Sequence, residues 1–500
     1  MAAGTMVELT AADGDINCAD QLDMFEAYQK VFVVNGANLK VADFINVKLT
    51  HGALATAHAK GDTLTQAVSG AVMVVDFTNS AKTMTYGYVT NGTFDTSNSV
   101  SGSGSGSAFT PTAVTDKPHW YDWTVYPGGA SGSMPGYAYI GCLYRGRLVL
   151  AGDPAHPHLW YMSKVNDPWN WVYSDVDPLT AVAGGNADAG EVGDIIRCLI
   201  PYKDDYLLFG CANSLWVLTG DPAQSGTIDE VDLTVGVYGA KSWCFDGDGN
   251  IYFFGTNGIY QITPDLKSVR CISELYLPNL VDDVDANPET HRIVLEHDRK
   301  RNGIIITITK LTDGSNQCYY YNLAAQGFFP ETYPVQCGPF SLCYYAANDN
   351  DYADLLVGCF DGFIRKWDEA SKDDNIGVSN TAISSYVVLP IAALSEDMDM
   401  KGKLTSLTVE LAGGASGGDF SDTDGVTVEL FTGDDAGTCL EDIKDGATAF
   451  LSKTYSGTGR KRTRDRCSAA FLGIKLSNST ASETWAVNRI YGNVEKSGTI

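Results

Sequence analysis

The chain has 500 residues, with 34 Lys+Arg against 61 Asp+Glu and a formal charge of −27. So acidic a surface repels nucleic acid, which excludes a protein that wraps or grips DNA. No run of about 18 apolar residues occurs, which excludes a membrane-spanning helix, and 52 glycines with 17 prolines fit a turn-rich all-β chain long enough for two or three domains.

In chain order, residues 1–29 read as a polar, acidic arm, with a short helical possibility at 19–29 or else the edge strand of a β-sheet. The opening MAAGTMVELTAADGDINCADQ has neither the basic nor the apolar region of a Sec-type signal, so synthesis and assembly in a cytoplasm are expected. Residues 30–49 hold the first of six similar stretches, KVFVVNGANLKVADF. The others are RLVLAGDPAHPHLWYMS from Arg147, YLLFGCANSLWVLTG from Tyr206, NIYFFGTNGIYQITP from Asn250, GIIITITKLTDGSNQCYYYNL from Gly303 and DLLVGCFDGFIRKWD from Asp354. Each is an apolar run, a turn built from Asn, Asp or Gly, and a second apolar-aromatic run, which is the pattern of a β-hairpin.

Their first apolar residues, Val31, Leu148, Tyr206, Ile251, Ile304 and Leu355, are spaced by 117, 58, 45, 53 and 51 residues. The last four gaps approach one four-stranded blade, and the first equals a blade plus an insertion. The expected fold is therefore all-β: a β-propeller of about six blades, with a small β-barrel or sandwich module inserted at 50–117. The rest of the propeller occupies 118–395, and a C-terminal β-sandwich of jelly-roll type occupies 396–500. The insertion repeats a Gly, a Thr-bearing strand and a Ser-Gly turn, in GDTLTQAVSGAVMVV and GTFDTSNSVSGSGSGSAFT. Its Gly/Ser run at 101–107 reads equally as a flexible linker or as a turn between strands. Tryptophans at 120, 123, 160, 169, 171, 216, 243 and 367 suit the gaps between wedge-shaped blades.

The motifs that would carry chemistry are weak. Twelve scattered cysteines contain no C-x-x-C and mostly sit in apolar runs, as reduced thiols packed like small hydrophobes would. Asp204, Asp205, Asp349, Asp351 and Asp361 offer carboxylates for glycoside hydrolysis, but YKDDY, ANDNDYAD and FDGF are turn contexts that favour Asp for its backbone bonds. Asp246–Asn250 (DGDGN) lacks the Glu at the twelfth position that an EF-hand loop needs. His156 and His158 lie at a proline-interrupted hairpin tip. No enzyme activity, cofactor or metal is expected. The exception to the acidic whole is GRKRTRDR: in a strand, alternate residues share a face, so Arg460, Arg462, Arg464 and Arg466, beside Lys461, would form a stripe suited to subunit contact.

Over 30–369 the chain resembles the β-propeller nozzle, or tail tubular, proteins of short-tailed phages. The residues that carry the likeness are CLYRGRLVLAGDPAHPHLWYMSKVNDPWNW at 142–171, IRCLIPYKDDYLLFGCANSLWVLTGDP at 196–222, and GIYQI following GVYGAKS. The resemblance implies a non-enzymatic virion protein in the tail: a homo-oligomeric ring around a DNA channel. Its neighbours would be adaptor and fibre proteins, and DNA would pass without specific binding. The rival expectation is a carbohydrate-binding or glycan-cleaving propeller used in host attachment.

Overall fold

The structure is a computed structural model that describes residues 9, 16–17, 21–123, 134–174, 176–186, 189–367, 371–377, 380–396, 400–413 and 423–499. Most of the arm, including Cys18, lies outside these residues. Two compact units make up the chain, one of residues 1–331 and 339–353, the other of 332–338 and 354–500.

The first unit carries five successive four-stranded antiparallel sheets, the blades of a β-propeller fold. Blade 1 is Asp23–Ala27, Lys30–Val34, Leu39–Asp43 and His119–Asp122; blade 2 is Ile140–Tyr144, Arg147–Asp153, His156–Met162 and Val182–Ala183. Blade 3 is Ile196–Tyr202, Tyr206–Cys211, Leu215–Thr219 and Thr227–Asp232; blade 4 is Trp243–Phe245, Ile251–Gly255, Gly258–Ile262 and Val269–Cys271. Blade 5 is His291–Asp298, Gly303–Lys310, Asn316–Asn322 and Gly327–Glu331, and Pro339–Tyr345 packs against its first strand. Asp23–Ala27 is a strand paired with Lys30–Val34, which overturns the helical possibility there. Its Asp23, Phe25 and Ala27 alternate with Met24 and Glu26, and Ala27 joins the core, so a two-residue period wins over a helical one.

Between each pair of neighbouring blades lies a separate apolar core. The core of blades 1 and 2 is aromatic: Phe32 sits 4.7 Å from Trp123 and 5.9 Å from Trp169. The Trp123 and Trp171 indoles both donate to the carbonyl of Pro168, at 3.2 and 3.0 Å. Trp123, Trp160, Trp169 and Trp171 are wholly enclosed, as wedge filling requires. Of the eleven described cysteines, all are free thiols and nine are buried; burial pushes the Cys337 thiol up to about 11 and the Cys211 thiol up to about 12.

The insertion leaves blade 1 after Asp43 and returns at His119, so blade 1 is completed only after the detour. It is one six-stranded antiparallel sheet in the order Val100–Gly102, Thr63–Gln66, Val72–Thr78, Met84–Asn91, Val47–Thr50, Ala113–Thr115. Leu49, Leu64, Met73, Val75, Val100 and Phe109 form its core. The Gly/Ser run is an ordered arch rather than a linker. Val100 and Phe109 exchange backbone bonds at its base, while Ser103 N reaches Thr63 O at 2.9 Å and Ser107 N reaches Thr56 O at 3.0 Å. A Cβ on Gly102 or Gly106 would lie 2.7 or 2.1 Å from the His58 ring, so only glycine permits this approach.

In the second unit, Asp354–Cys359 and Ile364–Lys366 form the sixth hairpin. Beyond it lie two antiparallel sheets. One holds Ser385–Val388, Phe471–Asn478, Gly425–Gly433 and Leu451–Ser456; the other holds Gly459–Thr463, Met400–Leu411, Cys467–Ala469 and Val487–Thr499. Leu404, Leu407, Val409, Val426, Val428 and Leu430 fill the space between them. A helix absent from the sequence expectations, Ala436–Lys444, is capped by Asp435, whose carboxylate accepts from Thr438 N at 2.8 Å. Its buried Cys439 and Ile443 pack against Phe431.

Candidate functional site

The basic segment forms the strand Gly459–Thr463, which pairs with Met400–Leu411. Leu407, Val409 and Leu411 point into the sandwich core, so Thr408 and Glu410 point outward with their cross-strand partners Arg462 and Arg460. On the other side of the same strand, Thr408 pairs Tyr491 and Glu410 pairs Arg489. The outer face therefore carries an Arg460–Glu410–Arg489 row beside an Arg462–Thr408–Tyr491 row. Arg460 Nε and Arg489 Nε stand 3.5 and 3.6 Å from the same Glu410 oxygen, and both arginines are 68% exposed. Arg462 Nη2 donates to Ser406 Oγ at 3.1 Å. One carboxylate facing three guanidinium groups leaves this face positive.

This corrects part of the expected stripe. The strand ends at Thr463, so Arg464 and Arg466 lie in the link to Cys467–Ala469, exposed but outside the row. Lys461 stands opposite Val409, on the core-facing side of the register. Arg489, which the sequence reading missed, takes the place of the two lost arginines. It comes from another strand, 29 residues beyond Arg460, and no local pattern in sequence reveals such a pairing. Val487–Thr499 is a long edge strand, with Tyr491 and Val494 each nearly half exposed. Residues 396–500 hold 12 basic and 16 acidic side chains, a balance of −4, whereas residues 1–395 hold 22 and 45, a balance of −23.

A second concentration of polar groups lies on the first strands of blades 4 and 5. There a cavity of about 750 Å³ is lined by Lys241, Trp243, Asp246, Glu296, His297 and Arg299, among others. Lys241 Nζ pairs with Asp23 Oδ1 at 2.5 Å, and Asp23 Oδ2 accepts from Gly141 N at 2.9 Å, so blades 1, 2 and 4 are tied together. Burial pushes the Glu296 carboxyl up to about 7 and pushes the His297 imidazole down. Burial that favours the neutral carboxyl suits Glu296 to hydrogen-bonding a polar ligand.

Most of the other sequence candidates serve their own turns, while Asp205 reaches the neighbouring hairpin of blade 2. Asp205 pairs with Arg145, Asp349 accepts from Asp351 N at 3.1 Å, and Asp361 holds Arg365 by two bonds of 2.8 and 2.7 Å. Asp246 accepts from Asp248 N and Asn250 N, both at 2.8 Å. His156 and His158 stand 6.5 Å apart, ring to ring. Among the described residues no group of His, Cys, Asp and Glu is arranged to hold a metal.

No family model and no curated protein matches this chain. Solved structures similar to it include a protein of unknown function from Bacteroides thetaiotaomicron, 10% identical, covering 70% of this chain and 87% of that chain with a TM-score of 0.27. Another is a quinonprotein alcohol dehydrogenase-like protein from the same organism, 13% identical over 63% of this chain and 67% of that one, with a TM-score of 0.26. A third is oligogalacturonate lyase from Vibrio parahaemolyticus, 9% identical over 65% of this chain and 88% of that one, with a TM-score of 0.24.

Proposed function

We propose that the chain is a structural subunit of a short-tailed phage tail, of nozzle type, which assembles with its own copies into a ring around a DNA channel. The observation that carries this reading is the outward Arg460–Arg462–Arg489 face, a positive surface on a chain whose first 395 residues carry a balance of −23. Copies of the same chain supply the acidic complement, and such opposed potentials steer and orient association. An acidic lining keeps passing DNA from sticking. The likeness of residues 142–222 to nozzle blades supplies the virion setting.

Sedimentation and particle imaging test the assembly. The wild-type chain is expected to form closed rings whose population falls with salt. Arg460→Glu combined with Arg489→Glu is expected to shift the chain to monomer, while each variant keeps the wild-type circular dichroism. A wild-type chain that stays monomeric at micromolar concentration in low salt overturns the reading.

The cavity near Glu296 favours a second reading, a glycan-binding propeller used in attachment. Trp243, Glu296, His297 and Arg299 are among the residues that line one space of ordinary ligand size. A glycan array separates the two readings: binding lost in Glu296→Gln supports this one.

A further inference from the structure

The inserted module meets blade 1 at a buried polar cluster. Lys30 Nζ lies 2.7 Å from Asp76 Oδ2 and 3.9 Å from Asp43 Oδ2. Lys30 is 6% exposed, Asp43 is fully buried and Asn46 is 1% exposed. The backbone explains how these groups meet. Lys30 and Asp43 are cross-strand partners in blade 1. Asp76 is the extra residue of a β-bulge: the register passes from Val75↔Gly87 directly to Phe77↔Tyr86. The bulge turns the Asp76 carboxylate out of its own sheet and toward Lys30.

Each remaining group has a fixed orientation. Asp43 Oδ1 accepts from Ile45 N at 3.0 Å and Asn46 N at 3.1 Å. Asp43 Oδ2 accepts from Asn46 Nδ2 at 2.7 Å and Tyr121 OH at 3.0 Å. The same Asn46 Nδ2 also donates to Asp76 Oδ2, at 2.9 Å. Phe77, Tyr86 and Tyr121 pack close by, with ring separations of 4.3 to 5.5 Å. An amine, the carboxyl group it touches, a second carboxylate and an amide donor thus share one largely enclosed space.

The geometry points to a self-modification site, at which the folded chain joins Lys30 Nζ to Asp76 Cγ as an isopeptide bond. The ammonium of Lys30 passes one proton to Asp43, and the amine so freed attacks Asp76 Cγ. Asn46 Nδ2 holds Oδ2 while negative charge builds on it, as an oxyanion donor does. The tetrahedral centre then expels Oδ1, which leaves as water with two of the three ammonium protons, one of them returned by Asp43. The amide nitrogen keeps the third. An ion pair becomes a neutral amide and one water, and no other reagent enters. Two features favour the step. The fixed contact replaces a bimolecular encounter, and burial disfavours keeping two charges where a neutral product is available. Asp76 Oδ1, the leaving oxygen, faces Lys60 at 3.9 Å, a side chain 46% exposed and so on the wetter side. The product staples the inserted module to blade 1.

Intact-mass measurement on the purified full chain tests this. The wild type is expected to be lighter than its sequence by one water, and digestion is expected to yield a branched peptide joining Lys30 to Asp76. Lys30→Arg is expected to restore the full sequence mass. That control matters because Asn35-Gly36 or Asn91-Gly92 could change mass by its own cyclisation. A wild-type chain at its full sequence mass overturns the assignment, and so does a water loss that persists in Lys30→Arg. Asp43→Asn is expected to leave most molecules unlinked; complete linkage in that variant removes Asp43 from the proton relay.

Discussion

Replacing Arg147 by methionine is expected to destabilise the propeller by about 3–5 kcal/mol, the cost of removing the buried partner from a largely buried charge network. Arg147 is wholly buried. Its Nη1 donates to the carbonyls of Ser163, at 3.0 Å, and Thr180; its Nη2 donates to Pro178 O at 3.0 Å and reaches Asp221 Oδ2 at 3.4 Å. One guanidinium therefore satisfies three backbone carbonyls between Ser163 and Thr180 and reaches across to blade 3. Methionine keeps the apolar stem but leaves those acceptors and Asp221 without their donor. Denaturant titration followed by tryptophan fluorescence measures the loss, since Trp160, Trp169 and Trp171 surround this segment in sequence and are buried. Arg145 is the control. It lies two residues away, is about one-third exposed, and pairs with an Asp205 that is two-thirds exposed. Arg145→Ala is expected to cost less than about 1 kcal/mol. Equal effects at the two positions would contradict the network.

That contrast bears on what sequence shows and hides. The six stretches that stood out at first reading are hairpins, and in blades 1 to 5 they are the second and third strands of each blade. The second strands are covered on both faces over most of their length. Arg147–Asp153 is buried at every position, and so is Ile251–Gly255. They consequently read as continuous apolar runs. The outer strand Thr227–Asp232, spelled TIDEVD, has no buried residue, and Asp23–Ala27 is only partly covered. Neither leaves an apolar signature, so sequence alone leaves the first strand open between an arm, a short helix and an edge strand. The same logic explains the site. Alternation correctly put Arg460 and Arg462 on one face, but the end of the strand at Thr463 and the arrival of Arg489 depend on pairing that only the fold reveals. Likewise Asp76, one of 61 acids, becomes distinctive only because a bulge aims it at Lys30.

Acid is expected to loosen the inserted module. His51 and His58 are buried on either side of Phe109, with ring separations of 4.1 and 5.7 Å. His51 Nδ1 meets Gly52 O at 2.8 Å and its Nε2 meets Thr85 Oγ1 at 2.9 Å. His58 Nε2 meets Ser107 O at 3.0 Å, while its Nδ1 makes no hydrogen bond and stands 3.9 Å from Asp62 Oδ2. Desolvation holds both imidazoles below their ordinary value of 6.5; Ser107 O and Asp62 oppose this at His58, Gly52 O opposes it at His51, and the neighbouring His58 lowers His51 further. The sign comes from proton uptake. Below about pH 6.5 the open state binds protons that the closed state refuses, so stability is intact above that pH and drains away as pH falls. The slope is at most about 1.4 kcal/mol per pH unit for each histidine. The arch at 101–107 covers His58 and yields first, because its glycines lie against the ring that must become charged. Amide exchange at 101–107, corrected for intrinsic rates, is expected to accelerate at least tenfold between pH 7.5 and 4.5 in the wild type. His58→Gln is expected to flatten most of that dependence, and Gly106→Ala to open the arch at every pH because its Cβ would sit 2.1 Å from His58 Nδ1. Exchange that ignores pH in the wild type, or that keeps its full pH dependence in His58→Gln, would show that the arch is held by its backbone bonds alone.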